Sequence, residues 1–571
     1  MELLLALPVM LPLVGAAITL LLRHHTRLQL GLAAVTLLAI FAIALVLAWH
    51  VTQEGVLVLQ IGNWTPQLGI VLVADRLTAL MLTVSSFVTL AVLVYSSAQS
   101  VSENVERTPV AIYHPTYLTL VAGVSMAFLA GDLFNLYVGF EIFLVASYVL
   151  LTLGATASRV RAGIGYVMVS MASSMIFLIA LALIYASVGT VNMAHAGMRM
   201  EELPEGTRAA IFATLLVAFG IKAAAFPLDA WLPDSYPSAA SLVTAVFAGL
   251  LTKVGVYAII RMRSVVFTDG SLDTMLMWVA LATMIMGIMG ALAQNQIKRL
   301  LSFTLVSHIG YMLFGIALGS VAGWGGAIFY AVHHILIQTT LFLVVSLIER
   351  HSGSSQLRRL GSMIYTAPVI AILFFIPAMN MGGIPPFSGF LGKVLLIEAG
   401  AMEGTWLAWT LIVGTVVTSL LTLYTMILVF SKGFLRDRAD APEGHLAVDR
   451  PASLSGKHSE VTVEERDHAG RIPTGMLLST ILLIATSLSL TVFAGPFAEM
   501  TDQAASSIKD TTIYREAVLR PGFEEPTRTL DRTTMPVEGS DAADANRESS
   551  PSGVTTVPVP RPAPNDAAAK E

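Results

Sequence analysis

The sequence predicts an all-α integral membrane protein of about 14 transmembrane helices, built as two inverted five-helix repeats that each contain a broken helix. Three observations carry that prediction: apolar runs long enough to span a bilayer recur along the chain, proline and glycine interrupt two of them at corresponding places, and ionisable residues sit deep inside others. The chain is 55% hydrophobic and 12% charged, with mean hydropathy +0.74. Few soluble domains carry that balance without precipitating, so a bilayer is the natural solvent.

The expected spans are 3–22, 28–49, 77–97, 116–131, 133–153, 164–188, 207–226, 237–260, 274–294, 301–320, 325–348, 365–402, 406–430 and 473–495. They divide the chain into N-terminal helices with an external loop (1–115), a first repeat (116–260), a second repeat (274–430), a polar cytoplasmic loop (431–472), a last helix (473–495) and an external tail (496–571). The tail loses its large apolar residues from about 526, a composition that predicts disorder. The first run lacks a basic leader and reads as a retained helix. Basic residues cluster at alternate ends: Arg23 and Arg27, Arg159 and Arg161, Lys298 and Arg299, Arg350 with Arg358 and Arg359, and Lys432 with Arg436 and Arg438. The positive-inside rule makes those loops cytoplasmic and both termini external, in a bacterial inner (plasma) membrane; Arg261 and Arg263 fall on the opposite side and dissent.

The interruptions are GIKAAAFPLDAWLPDSYP, with Pro227, Pro233 and Pro237, and MNMGGIPPFSGFLGK, with Gly382, Gly383, Pro385, Pro386 and Gly389. Unwound backbone is tolerated at membrane depth only where it is buried or lines a hydrated cavity, so paired breaks in two successive blocks of five spans mark an inverted-repeat transporter. Ordinary loops between short helices are the alternative.

Glu141, Lys222, Lys253 and Lys393 lie in apolar segments. A charged group at mid-helix costs about 2.5–3.5 kcal/mol on insertion scales, roughly 10–14 kcal/mol for four, comparable with the whole stability of a domain. Such groups need partners, water or a function, and a proton relay supplies all three. The structural alternatives are a static ion pair for Glu141, a phosphate or backbone-carbonyl anchor for Lys222, snorkelling for Lys253 and a helix-end position for Lys393. Tyr330, His334 and Gln338 stand at i, i+4 and i+8 on one face and can pass protons through hydroxyl, imidazole and water; His333 faces away and reads as packing. Tyr330, Gln338, His308 and Asp229 are further candidates beside the main set of Glu141, Lys222, Lys253, His334 and Lys393.

The chain has no cysteine, which excludes disulfides and cysteine-bound iron–sulfur clusters, and its net charge of −5 offers no basic surface to nucleic acid. No metal or nucleotide motif is present, no cofactor is expected, and the pattern is that of a secondary transporter subunit and not of an enzyme.

GDLFNLYVGFEIFLVASYVLL, FPLDAWLPDSYPSAASLVTAVFAGLLTKVGVYAIIR, HHILIQTTLFL and GGIPPFSGFLGK resemble a family, over about residues 60–430: the antiporter-like subunits shared by respiratory complex I and the multisubunit Mrp-type Na+/H+ antiporters. The wording is nearest to the D-type subunits of the Mrp branch. The resemblance implies two inverted five-helix repeats, assembly with other Mrp subunits, and a hydrophilic axis through Glu141, Lys222, Lys253, His334 and Lys393. It also implies exchange of cytoplasmic Na+ for external H+, driven by the proton-motive force. Two residues depart from the family pattern: Gln338 stands where its central lysine is expected, and Asp229 where a histidine is frequent. A proton-pumping membrane subunit of complex I or of a membrane-bound hydrogenase remains an alternative, as does a scaffold whose charges are vestigial pairs.

Overall fold

The computed structural model describes residues 2–66, 69–102, 110–154, 157–444 and 472–519. Most of the expected loop 431–472, and the expected disordered tail from about 526, lie outside the described residues.

The chain opens with α1 (Leu7–Leu21) and α2 (Thr26–Glu54), then a hairpin of β1 (Leu57–Gln60) and β2 (Val71–Ala74). There follow α3 (Arg76–Ser102), α4 (Val110–Leu129), α5 (Leu133–Thr152), α6 (Ala157–Val188), the short α7 (Met193–Met200), and α8 (Glu205–Ala223) with its continuation α9 (Trp231–Ser235). Next, α10 (Ser241–Val246) runs through a π-helical turn at Phe247–Leu251 into α11 (Thr252–Arg261). Then come α12 (Asp273–Leu292), α13 (Ile297–Ala317), α14 (Val321–Ser352), α15 (Met363–Thr366), α16 (Pro368–Gly382), α17 (Ser388–Glu403) and α18 (Trp406–Phe430). The described chain closes with α19 (Thr474–Val492), α20 (Ala494–Lys509) and α21 (Thr511–Leu519).

This is a multi-pass helical membrane protein. Among the described residues, 12 helices are long and apolar enough to cross a bilayer, while Leu7–Leu21 and Pro368–Gly382 are shorter apolar helices. Of the fourteen expected spans, the other two therefore fall on α1 and on the broken α16–α17. The expected single span 365–402 is two helices, and the span expected at 237–260 runs on to Val266.

Both breaks are built alike. α8 ends on Ala224 at φ 60° and α16 on Gly383 at φ 82°, left-handed residues that turn the chain out of the helix, with Pro227 and Pro385–Pro386 blocking its resumption. The strain is tolerable at Gly383, which has no Cβ, and costs about 1–2 kcal/mol at Ala224. α14 is buried along its spanning length, lying among α13, α10, α16, α17, α19 and α20. It is the central pillar, so polar groups on its faces meet protein and not lipid.

Arg261 and Arg263, the dissenters from the charge rule, turn out not to be loop charges. Arg261 makes a bidentate pair with Asp75 at 2.5 and 2.9 Å, further held by Thr78 and Tyr257, and Arg263 pairs with Asp273 at 2.7 Å. Both arginines are thus buried and paired with carboxylates. Two further features were not expected from the sequence. The β1–β2 hairpin interrupts the expected external loop. α20 and α21 occupy the first part of the expected tail, where Phe497 packs on Phe329 and Lys509 donates to the Gly319 carbonyl.

Candidate proton route through the membrane core

The first group lies where α5, α6 and α8 meet. Ser174 on α6 donates to the Glu141 carboxylate, and Lys222 donates to the same Ser174 oxygen at 3.2 Å. The expected Glu141–Lys222 charge pair is thus a hydroxyl-bridged pair, with the ammonium also 4.9 Å from the Phe140 ring. Lys222 sits in the last turn of α8, where the helix dipole and the free carbonyls favour a cation. Lys222 is buried and Glu141 is half-buried.

Lys253 comes next, because α8 and α11 touch at the neighbouring residues: a Cβ on Gly255 would stand 2.7 Å from the Ala223 nitrogen. Its side chain is fully buried and its ammonium donates to the Ala248 carbonyl at 2.6 Å. That carbonyl belongs to the π-helical turn Phe247–Leu251, a local widening that recurs at functional sites in helices. Gly249 of the same turn lies against Thr339 and the Ile335 carbonyl of α14. This carries the route to the pillar.

On α14 the polar groups gather with α13. The rings of His334 and His308 are 5.1 Å apart, and Tyr330 is hydrogen-bonded to His308 Nδ1 at 2.8 Å. Tyr311 stands 5.3 Å from both His308 and Tyr330, and the Lys393 ammonium lies 5.2 Å from the Tyr311 ring. Lys393 itself donates to the Met381 and Gly382 carbonyls and to Ser419 Oγ at 3.2, 3.3 and 2.9 Å. The second lysine at a break is therefore anchored on the carbonyl end of α16, whereas Lys222, in the last turn of α8, donates to Ser174 of α6.

Among the described residues, several buried atoms in this stretch have no partner: both ring nitrogens of His334, Nε2 of His308 and of His333, Oε1 of Gln338 and Oγ1 of Thr252. Left dry, each would cost about 1–3 kcal/mol. They are concentrated between Lys253 and Lys393.

The structure thus brings Glu141 together with Lys222, and His334 with His308, Tyr330 and Lys393. Gln338 donates to the Leu301 carbonyl at 2.8 Å. Asp229 is buried near α9 and, among the described residues, makes no hydrogen bond to any of these groups. Pro227, Gly383, Pro385 and Pro386 form the two breaks. His333 is more than packing: it pairs with Ser388 Oγ at 3.0 Å, at the start of α17. Ser174 and Ser419 were missed because a serine in an apolar helix reads as a small packing residue.

Residues 130–422 match the family described as NADH:quinone oxidoreductase/Mrp antiporter, TM. The chain belongs to this family. Within it, the chain is 36% identical to the D-type subunit of the Na(+)/H(+) antiporter of Alkalihalophilus pseudofirmus, over 90% of this chain and 99% of the relative. A chain of the Mrp complex from Dietzia sp. DQ12-45-1b is 34% identical and superposes with TM-score 0.80, covering 91% of this chain and all of that one. Respiratory complex I from Thermus thermophilus contains a chain with the same fold, at TM-score 0.70 and 22% identity over 90% of this chain and 100% of its own. The match of the antiporter family spans every residue of the route, from Glu141 to Lys393.

Proposed function

We propose that the chain is the proton-translocating subunit of a multisubunit Na+/H+ antiporter, exporting Na+ in exchange for H+ at the expense of the proton-motive force. The observation that carries this reading is the series of buried cations, Lys222, Lys253 and Lys393. Each is held by carbonyls or hydroxyls and, among the described residues, lacks a direct carboxylate partner, and partnerless polar atoms gather between Lys253 and Lys393. A static structural network would pair its charges; a relay leaves them exchangeable.

In this reading water occupies the positions facing His334, Gln338 and Thr252, since such a polar, enclosed stretch is where buried water is retained. Ser174 passes a proton between Lys222 and Glu141, Lys253 and His334 pass it along the core, and Lys393 gates the far end. Gln338 does not carry a proton, so transfer at mid-route runs through His334 and water. Glu141, half-buried at the edge of the chain, meets a neighbouring subunit in the assembled complex. The basic loops face the cytoplasm, and the termini the outside.

Antiport measured in vesicles of an antiporter-deficient strain, with and without the co-encoded subunits, tests the reading. Na+-dependent dissipation of a pH gradient with the full set, lost in Glu141→Ala despite normal assembly, supports it. Full exchange by Glu141→Ala refutes it.

A further inference from the structure

Where the route opens at the end that carries the basic loops is fixed by none of the route residues. We propose that Glu349 is the proton-exchanging group at that mouth, held in place by Lys298 and Ser241; this rests on the proton-route reading above.

Glu349 lies in the last turn of α14, beside the turn that brings Lys298 at the start of α13 and Ser241 at the start of α10. Its Oε2 accepts from Lys298 Nζ at 2.9 Å and from Ser241 Oγ at 2.6 Å. Arg159 of α6, which donates to the Leu153 and Ser238 carbonyls, lies within electrostatic range, and Arg350 is its neighbour on α14. One carboxylate therefore touches the first turns of two helices that lead inward to route residues: α10 continues to Lys253, and α13 to His308. Its own helix leads to Gln338 and His334.

Glu349 stands about three helical turns from Gln338 and shares its face of α14, roughly 15–20 Å along the helix. Phe342 and Val345 lie on that face between them, both fully buried. The arrangement is that of a port: a carboxylate in reach of solution, an apolar plug, then the polar core. Exposure agrees, because the Glu349 side chain is 22% exposed while Lys298 behind it is 9% exposed. A static ion pair would account for Lys298 but not for the hydroxyl donated from the helix that carries Lys253, nor for a carboxylate aligned with the α14 stripe.

The chain has no cysteine, so Glu349→Cys introduces its one reactive sulfur. Its thiolate displaces iodide from iodoacetate to give a carboxymethyl side chain, or from iodoacetamide to give the uncharged amide of the same size. In the assembled complex, with native complex treated in parallel, Glu349→Gln lowers antiport by about 100-fold or more without loss of assembly, the low end of the range expected for removal of one proton-transfer group. Glu349→Cys is similarly slow, recovers after iodoacetate and stays slow after iodoacetamide. Native exchange by Glu349→Gln, recovery with both reagents, or no recovery after complete carboxymethylation overturns the port while leaving the antiport reading intact. Absence of antiport in the untreated native complex overturns both.

Discussion

Ser174→Ala removes a single oxygen from the centre of the Glu141–Lys222 bridge. Glu141 loses a donor and Lys222 an acceptor at 3.2 Å, keeping its contact with the Phe140 ring and its attraction to Glu141. A hydrogen bond to a charged group contributes about 1.5–3 kcal/mol. If that energy is felt in the proton-transfer step, antiport falls about 10- to 150-fold, since each 1.36 kcal/mol is a factor of ten in rate. Packing barely changes, because alanine fills the same helix position with one atom fewer. Exchange is read as Na+-induced recovery of a pH-sensitive dye in everted vesicles carrying the complete set of subunits, with assembly followed by native gel. Ser174→Thr, which restores the hydroxyl, returns most of the rate. If Ser174→Ala exchanges within about twofold of native, less than 0.5 kcal/mol by the same arithmetic, the bridge is not part of the route.

Lys253→Met keeps the side-chain volume while removing the buried ammonium; exchange is lost by at least about tenfold, yet thermal stability in detergent is unchanged or higher, because an unpaired buried charge has gone. Arg261→Met leaves Asp75 buried without its partner and lowers stability by about 3–5 kcal/mol, a loss that Asp75→Asn in the same chain partly reverses; unfolding followed by scanning fluorimetry separates the two. Asp132, which caps α5 just outside its span, is pushed up to about 6 by burial, against the backbone N–H groups of Asn135 and Val71 that favour its ionised form. The folded chain then holds a proton that the unfolded chain releases above pH 3.8. Stability from this group is present below that pH and is lost as pH rises through 6, by about 3 kcal/mol at most. Melting temperature measured from pH 4 to 7 shows that decline in the native chain and a flatter profile in Asp132→Asn.

The sequence was most informative where a residue violated its surroundings. Glu141, Lys222, Lys253 and Lys393 stood out because hydrocarbon penalises charge, and the two breaks because proline and glycine end helices whatever the tertiary context. What stayed hidden was whatever depends on a distant neighbour. Asp75 and Arg261 are far apart in the chain, so their pairing left Arg261 looking like a loop charge. The helical angle of His333 reads as packing and says nothing of α17, whose Ser388 meets the ring on that side. Ser174 and Ser419 are chemically plain serines until an ammonium is placed on them. The Ala248, Met381 and Gly382 carbonyls belong to the backbone, on which side-chain patterns are silent. The sequence does carry a signal for α20: Phe497, Thr501, Ala505 and Ile508 repeat at helical spacing beyond the last apolar run, and all four are buried.

The decisive observation is ordered water in the assembled complex, in an experimental map that resolves individual solvent molecules around His334. Waters bonded to both ring nitrogens, continuing toward Lys253 on one side and Lys393 on the other, are the expected result. Dry apolar packing against those nitrogens, with the three lysines in separate closed pockets, would contradict a proton route through this core.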